Sequence, residues 1–510
     1  MLNKTINNIK RWISLIFNKN KTIQEITKTS INEEHYNMLE QWKAIYKGYY
    51  KEFHDQKVYT LNGERKRTMR SLNMAKVASE TLAKIIFTEK VEINMSDKAY
   101  NKNIDDILKQ NRFKKVFQNK LEQMLALGGL ALKVSPKPSR EDGKTKLVVT
   151  YVTPDCFIPL SWENDDITEG VFLNISRNKT KVYNLFEFHK WDGLKYVITN
   201  ELYESEKGVE GQQAKRIPLN TLYEGLEEKV VIEGLTQPLF TYIKPNIANN
   251  FDLQIPLGVS IFANSLDTLY AIDVAFDSFI REFNLGRRRI LVPATSVRSV
   301  VDPQTGEMSR YFDANDEVYQ AFNHADPEKQ KIQDNTVGLR VVEHVKAINA
   351  LLEILCMQLG FSTGTFTFDG QSVKTATEII SEQSTTFRTK QANENLIEEG
   401  LDKFIRSLGE VAELYNIFNQ PTKDYEIEFN WDDSIIQDRD ADSDFYIKLK
   451  NANLIDGKHA LMEILNFTEE QADEMLTRVN KELQMQMPDL DDISDMDKKL
   501  GDAEVEDGDE

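Results

Sequence analysis

The residue types that usually carry enzyme chemistry are sparse in this chain and stand apart from one another. Six histidines (His35, His54, His189, His324, His344 and His459) fall one at a time. No H-E-x-x-H pair brings two of them to one helical face, as a zinc site of that kind requires. The two cysteines, Cys156 and Cys356, are too few for a disulfide framework. Each lies in an apolar run, Asp155-Cys156-Phe157-Ile158 and Ile354-Leu355-Cys356-Met357, the setting of an inert, buried thiol. No G-x-x-x-x-G-K-[ST] loop is present to cradle phosphates, and no G-x-G-x-x-G follows a strand. Asp432-Asp433 has the carboxylates to hold a divalent ion for phosphodiester cleavage. Adjacent carboxylates after a strand more often open a turn or cap a helix, and that reading is favoured. The expectation is no enzyme, no cofactor and no metal, with a metal-dependent nuclease or other nucleic-acid-processing enzyme as the alternative.

Cations do cluster. Arg65, Lys66, Arg67 and Arg70 form one group, and Arg287, Arg288 and Arg289 another. The first group can meet phosphate, but a solvated or subunit-contacting face is the preferred reading. The second follows a helix, where cations favour the C-terminal dipole; a docking or DNA-facing role is the competing reading. Net charge is nevertheless −19, which argues against a surface built to grip nucleic acid. An acidic wall is compatible with DNA that has to slide, because the repulsion is screened over roughly 8 Å at physiological salt.

The elements that position these groups are legible from periodicity. Phe262, Leu266, Leu269, Ile272, Phe276, Phe279 and Phe283 form one apolar stripe, which predicts a helix from about Val259 to Phe283. Val341, Val345, Ile348, Leu352, Leu355 and Leu359 predict a second over about Arg340 to Leu359. Neither contains proline, and a rod of this kind is roughly 35 Å long. Between them, residues 290–335 carry short strand-like runs and turns. After Gly360, the Gly/Ser/Thr loop with Phe361, Phe366 and Phe368 leads to Thr375-Ala376-Thr377-Glu378, a capping box opening a third helix that runs to about Phe418.

Upstream, residues 31–57 predict a helix, Asn73–Phe87 another, and Asn103–Ala126 a pair broken at Gly128-Gly129. Leu130–Pro245 is mostly strand and turn, with a hairpin over Lys179–Ile198 turning at Asp192-Gly193. Downstream come a strand at Tyr425–Asn430, helices at Asp440–Ala452, Gly457–Leu465 and Thr468–Gln486, and an acidic tail after Pro488 that composition predicts to be disordered. With 40% apolar and 28% charged residues over 510 positions, the chain reads as a soluble α+β protein of several regions, made in a reducing cytoplasm. No run reaches the ~18 apolar residues of a membrane span. The N-terminal stripe Ile6, Ile9, Trp12, Ile13, Ile16 and Phe17, ringed by Lys4, Lys10, Arg11 and Lys19, suits docking on a neighbouring domain or subunit better than a membrane surface.

Gly258-Val259-Ser260-Ile261-Phe262 opening the first rod, Arg287–Pro293 closing it, and Gly360-Phe361-Ser362 before Thr375-Ala376-Thr377-Glu378 resemble the portal proteins of tailed bacteriophages, of the type found in phages of Gram-positive bacteria. The likeness covers nearly the whole chain, and the Gly-Phe-Ser…Thr-Ala-Thr-Glu segment is its most specific part. The resemblance implies a portal-like α+β fold: an α/β wing (1–257), stem helices (258–289 and 339–360), a small β-containing clip (290–338), a tunnel loop (361–373), a long helix with a return strand (374–436), a helical crown (437–488) and the acidic tail (489–510). It implies a homo-oligomeric ring, a dodecamer, at one capsid vertex of the virion. Its partners would be the terminase large subunit, the head–tail adaptor, capsid and scaffolding proteins, and double-stranded DNA passing without sequence preference. Duplex DNA carries one charge per ~1.7 Å, so a lining with few cations lets it slide. Asp267 and Asp277 are accordingly expected at the channel. Gln371, Ser372 and Lys374 are the candidates for loop contact with the DNA backbone; an exposed lysine at a helix start is the favoured plain reading of Lys374. Arg287, Arg288 and Arg289 are the candidates for docking at the clip.

Overall fold

In the computed structural model, residues 32–486 are described apart from 61–62, 89, 139–142, 144, 179, 207–214, 287–289, 294–298, 302–307, 311–318, 323–332, 335–337, 369–375, 422–424, 432–438, 453 and 466–468. The chain begins with α1 (Glu33–Tyr46). The Asn32 side chain caps it by accepting from the His35 N–H at 3.0 Å, and Glu33 and Glu34 stand in its first turn, where acids favour the helix dipole. The helix expected over 31–57 is not continuous. Gly48, at φ 80°, breaks it, a short α2 (Lys51–His54) follows, and the chain then turns into a hairpin of β1 (Asp55–Thr60) and β2 (Gly63–Thr68). The sequence Gly-Glu-Arg-Lys-Arg-Thr has no alternating apolar residues to announce a strand, so pairing alone defines it.

Three helices follow: α3 (Met74–Ile86), then α4 (Lys98–Gln110), capped by Asp97, and α5 (Phe113–Leu127). They bury Leu82, Ile104, Phe113, Phe117 and Leu121 in one core, with Phe113 and Phe117 stacked at 5.1 Å and Phe87 edge-on to Phe117 at 4.9 Å. β3 (Glu92–Met95) lies between α3 and α4 in sequence. α5 stops at Gly128 (φ 85°), after which the period changes from helical to alternating.

Residues 130–243 are β-rich, as the alternation predicts. β4 (Leu130–Pro138) pairs with β5 (Thr145–Val152), and β6 (Phe157–Glu163), β7 (Asp166–Arg177), β8 (Lys181–Asp192), β9 (Lys195–Glu206) and β10 (Lys215–Ile217) form an antiparallel meander. β11 (Lys229–Glu233) adds to β9, and β12 (Phe240–Ile243) pairs with β4. The β8–β9 hairpin turns through Gly193 (φ 62°) and Leu194 with Asp192 opposite Lys195, the tight connection that Asp-Gly predicts.

The first rod, α6 (Leu266–Leu285), starts seven residues later than Val259. Residues 258–262 cannot join it because they are spent elsewhere. The Ile261 N–H donates to the Leu125 carbonyl at 3.0 Å, and Gly258 lies so close to the end of α5 that a Cβ there would stand 2.4 Å from the Gly128 carbonyl oxygen. The insertion after α6 contains β13 (Ile290–Pro293), β14 (Ser299–Val301), β15 (Met308–Arg310), β16 (Tyr319–Phe322) and β17 (Gln333–Asp334); β13 runs parallel to β16 and antiparallel to β17, and β14 pairs with β15. α7 (Val341–Leu359) is the second rod and ends on Gly360 at φ 73°.

The long α8 (Ala376–Leu414) borrows its stability from the core, burying Ile397, Leu401, Phe404 and Leu408. β18 (Ile427–Asn430) then pairs antiparallel with β3. Helices α9 (Arg439–Asn451), α10 (Gly457–Leu465) and α11 (Glu469–Gln486) complete the described chain. Two compact units result. One comprises residues 1–372 and 382–432, the other residues 373–381 and 433–510.

Candidate channel and docking elements

α6 is gripped from two sides. At 3.6 residues per turn, Asp277 and Phe279 leave the rod roughly 160° apart. On the Asp277 side stands the α2–hairpin segment. The Arg67 guanidinium donates to Asp277 Oδ1 at 2.7 Å and the Arg70 N–H donates to the same oxygen at 3.1 Å. One turn earlier, Asp273 accepts from the Leu72 N–H at 2.8 Å and pairs with the buried His54 Nε2 at 3.1 Å. Phe53 packs on Tyr270 with ring centroids 5.0 Å apart. Both carboxylates are buried, Asp273 being 7% and Asp277 4% exposed. Burial by itself pushes the Asp277 carboxyl up. The hydrogen bonds from Arg67 and Arg70, with the charges of Arg67 and Arg281, outweigh that and hold it below the usual aspartate range.

On the Phe279 side stands α7. Phe279 meets His344 at 5.9 Å, and Arg340 clamps Glu282 through Nε at 3.1 Å and Nη2 at 2.9 Å. Those hydrogen bonds from Arg340 draw the Glu282 carboxyl down to about 2. Between the rods, Leu269 and Ile272 are buried with Ile348, Leu352 and Leu355. The apolar stripe loses cover along its length, from Ile272 at 0% to Phe283 at 44% exposure. Other large apolar side chains also stand in solvent, notably Tyr270 and Val274 on α6 and Val342, Ile354 and Met357 on α7.

The loop after α7 is tied at both ends. Thr389 Oγ1 donates to the Gly360 carbonyl at 2.7 Å, the Ser362 N–H donates to Thr386 Oγ1 at 2.8 Å, and the Phe368 N–H donates to Asn349 Oδ1 at 3.1 Å. Phe361 and Phe366 are buried edge-to-face at 5.1 Å, whereas Phe368 is exposed. A Cβ at Gly360 would stand 2.6 Å from Thr389 Oγ1, so glycine serves both the positive φ and the close approach.

A second polar cluster lies in the β region. Lys133 donates to Glu187 at 2.6 Å, Glu187 contacts His189 Nε2 at 2.8 Å, and His189 Nδ1 meets the Tyr196 hydroxyl at 2.9 Å. The Leu239 N–H closes the chain on Tyr196 at 3.3 Å. Burial alone pushes the Glu187 carboxyl up, but Lys133 and His189 reverse this and hold it well below the carboxylate range; burial lowers His189. With its polar atoms mutually bonded, the cluster pins β4 to β8 and β9.

The residues singled out from sequence fare differently. Asp267 is exposed on α6. Asp277, expected on the polar side of the rod, is turned inward and occupied by Arg67 and Arg70. Gln371, Ser372, Lys374, Arg287, Arg288 and Arg289 lie outside the described residues, as do Asp432 and Asp433. Sequence reasoning missed Asp273, His54 and the anchoring role of Arg67. The available signal was two aspartates one turn apart beside the apolar stripe, matched by a basic group upstream. Cys356 is buried and Cys156 half-buried; burial pushes the Cys156 thiol up to about 12. Among the described residues no group of three or more His, Cys, Asp or Glu is placed to hold a metal ion, and no helix is long and apolar enough to cross a membrane.

No curated protein matches the chain. The family model described as phage portal protein, SPP1 Gp6-like, matches residues 27–489. That match takes in both rods, the strands between them and the loop that follows, and the chain belongs to this family of phage portal proteins.

Proposed function

We propose that this protein is the subunit of a closed ring at the unique vertex of a phage capsid. The ring, a dodecamer, encloses the channel through which DNA is packaged and ejected. In this reading the chain up to residue 257 is the outer wing, 258–289 and 339–360 are stem helices around the channel, and 290–338 is the clip that docks the terminase large subunit and later the head–tail adaptor. Residues 361–373 are the tunnel loop, α8 and β18 return to the wing, and 437–488 are the crown. Capsid and scaffolding proteins are the remaining partners. The role is mechanical and carries no catalysis.

The observation that carries the reading is the pair of rods with unsatisfied apolar flanks. Tyr270, Val274, Ile354 and Met357 are 37–70% exposed on neighbouring helices. An exposed apolar surface on adjacent rods marks an interaction face. A heterologous contact repeated head to tail closes into a ring when the rotation allows. Asp267, exposed on α6, is the proposed lumen-facing acid. Asp277, committed to Arg67, serves to fix the rod instead. Lys374 is the proposed loop contact with the DNA backbone, with Gln371 and Ser372 beside it, and Arg287, Arg288 and Arg289 are the proposed docking cations.

Negative-stain images down the axis of the purified particle, with its mass, test the proposal. The expected result is an annulus with a central aperture. A monomer at every concentration, or a particle without an aperture, refutes it.

A further inference from the structure

The hairpin of residues 55–68 is exposed on nearly every side chain of β2, and an isolated two-stranded hairpin is marginal in water. Its anchor is Arg67 on Asp277. Successive side chains of a strand alternate, so Lys66 points away from that anchor, while Arg65 lies on the same side as Arg67, two residues nearer the turn. Lys66 stands directly opposite Lys57 in the register, a like-charge pairing that weakens a sheet by itself. Lys57 reaches Glu64 at 2.8 Å. Arg65, Lys66 and Arg70 are exposed and make no side-chain hydrogen bond or ion pair among the described residues. Three cations without such a partner among the described residues thus stand on the flank of α6 in a chain of net charge −19.

Hairpin, α6 and α7 form a row, because Asp277 and Phe279 contact the two neighbours on nearly opposite sides of α6. One end of the row is cationic, with the exposed Tyr49 and Tyr270 beside it. The other end is the outer face of α7, where Glu343 and Glu353 are exposed and make no hydrogen bond or ion pair among the described residues, with the exposed Lys346 between them on the same face and Val342 and Met357 at 61% and 70% exposure.

We propose that the two ends meet between copies: the hairpin is an intersubunit strap whose Arg65, Lys66 and Arg70 seat on the outer face of α7 in the next copy, against Glu343 and Glu353. The contact is head to tail, the geometry that closes a ring. Cations interleaved with apolar side chains suit a protein surface with the same mixture better than a phosphate backbone, which has no apolar face to bury. The proposal rests on the ring reading and names the surfaces that make it.

The test is a charge swap that leaves the Arg67 anchor intact. Assembly of the full chain is followed by sedimentation against protein concentration and salt, for wild type, Arg65→Glu with Lys66→Glu, Glu343→Lys with Glu353→Lys, and all four together. Each charge reversal is expected to raise the assembly midpoint roughly tenfold, with unchanged thermal melting. Wild-type assembly weakens as salt rises; the reversed variants gain with salt because their repulsion is screened. The quadruple variant regains most of the loss, as directly coupled charges must. Reversed hairpins that assemble like wild type, or a quadruple variant no better than the doubles, overturn the strap while leaving the ring standing. Wild-type assembly with loss only of duplex-DNA binding in the hairpin variant overturns it in favour of a nucleic-acid contact. A wild-type chain that stays monomeric overturns ring and strap together.

Discussion

Arg67→Ala tests how the stem is held. In the native chain the Asp277 side chain is 6% exposed and accepts from one guanidinium and one backbone N–H, whereas the Arg67 side chain is 31% exposed. Truncation leaves a buried carboxylate with the Arg70 N–H alone. Stranding one member of a fully buried pair costs about 3–5 kcal/mol. Here water can enter where the partly exposed Arg67 side chain was, which lowers the expected loss to about 2 kcal/mol, within the range for an under-satisfied buried acceptor. The sign of the pH dependence follows from the depressed carboxyl. A lowered folded-state value contributes stability that is present above the unfolded aspartate value, about 3.9, and is lost as pH falls through the folded value. In Arg67→Ala burial is opposed only by the Arg70 N–H and the charge of Arg281, so the folded value rises, and the deficit is greatest at neutral pH and shrinks as Asp277 becomes protonated. Urea unfolding from pH 7 to pH 4 measures both quantities. An unchanged midpoint at pH 7, or a deficit of the same size across the range, refutes the reasoning. Asp277→Asn, which keeps shape and removes charge, is expected to lose the same pH-dependent component.

Gly258→Ala forces a Cβ against the Gly128 carbonyl and Lys244 Cβ, at 2.4 and 2.7 Å. With backbone on one side it cannot yield cheaply, so a loss of about 1–3 kcal/mol is expected, as for overpacking. An unfolding midpoint equal to wild type removes the claim that this contact sets where α6 begins. Both thiols should react slowly with a maleimide in the native chain at pH 7.5, because burial raises Cys156 to about 12 and also raises Cys356. Rates equal to those of the unfolded chain contradict the buried positions. Lys374→Glu is expected to assemble normally and package DNA poorly, and wild-type packaging dismisses the loop contact.

Much of the fold was legible because local rules and burial agreed. The Asp192-Gly193 turn announces the β8–β9 hairpin, Gly128 and Gly360 announce helix ends through their left-handed backbone, and the stripes of α6 and α7 have a helical period. The errors arose where a distant contact overruled the pattern. Val259–Phe262 continue the stripe of α6, yet Ile261 bonds to Leu125 and the segment is drawn off the helix. Residues 55–57 extend the pattern of α1, yet pairing with 66–68 makes them strand. In the basic run at residues 65–70, Arg65, Lys66 and Arg70 are exposed, in keeping with a solvated or subunit-contacting face, but Arg67 is drawn onto Asp277, 210 positions away.

Asp277 marks the limit most clearly. Composition, motif absence and periodicity suffice to predict an α+β protein without a nucleotide-binding or metal motif and with two long amphipathic rods, since these depend on residue types and near-neighbour spacing alone. Which side of a rod an aspartate serves depends on what else the chain brings there. Arg67, His54 and the Leu72 N–H turn a surface-like acid into a buried anchor, because a carboxylate enters a low-dielectric interior only where hydrogen bonds and opposite charge offset its lost water.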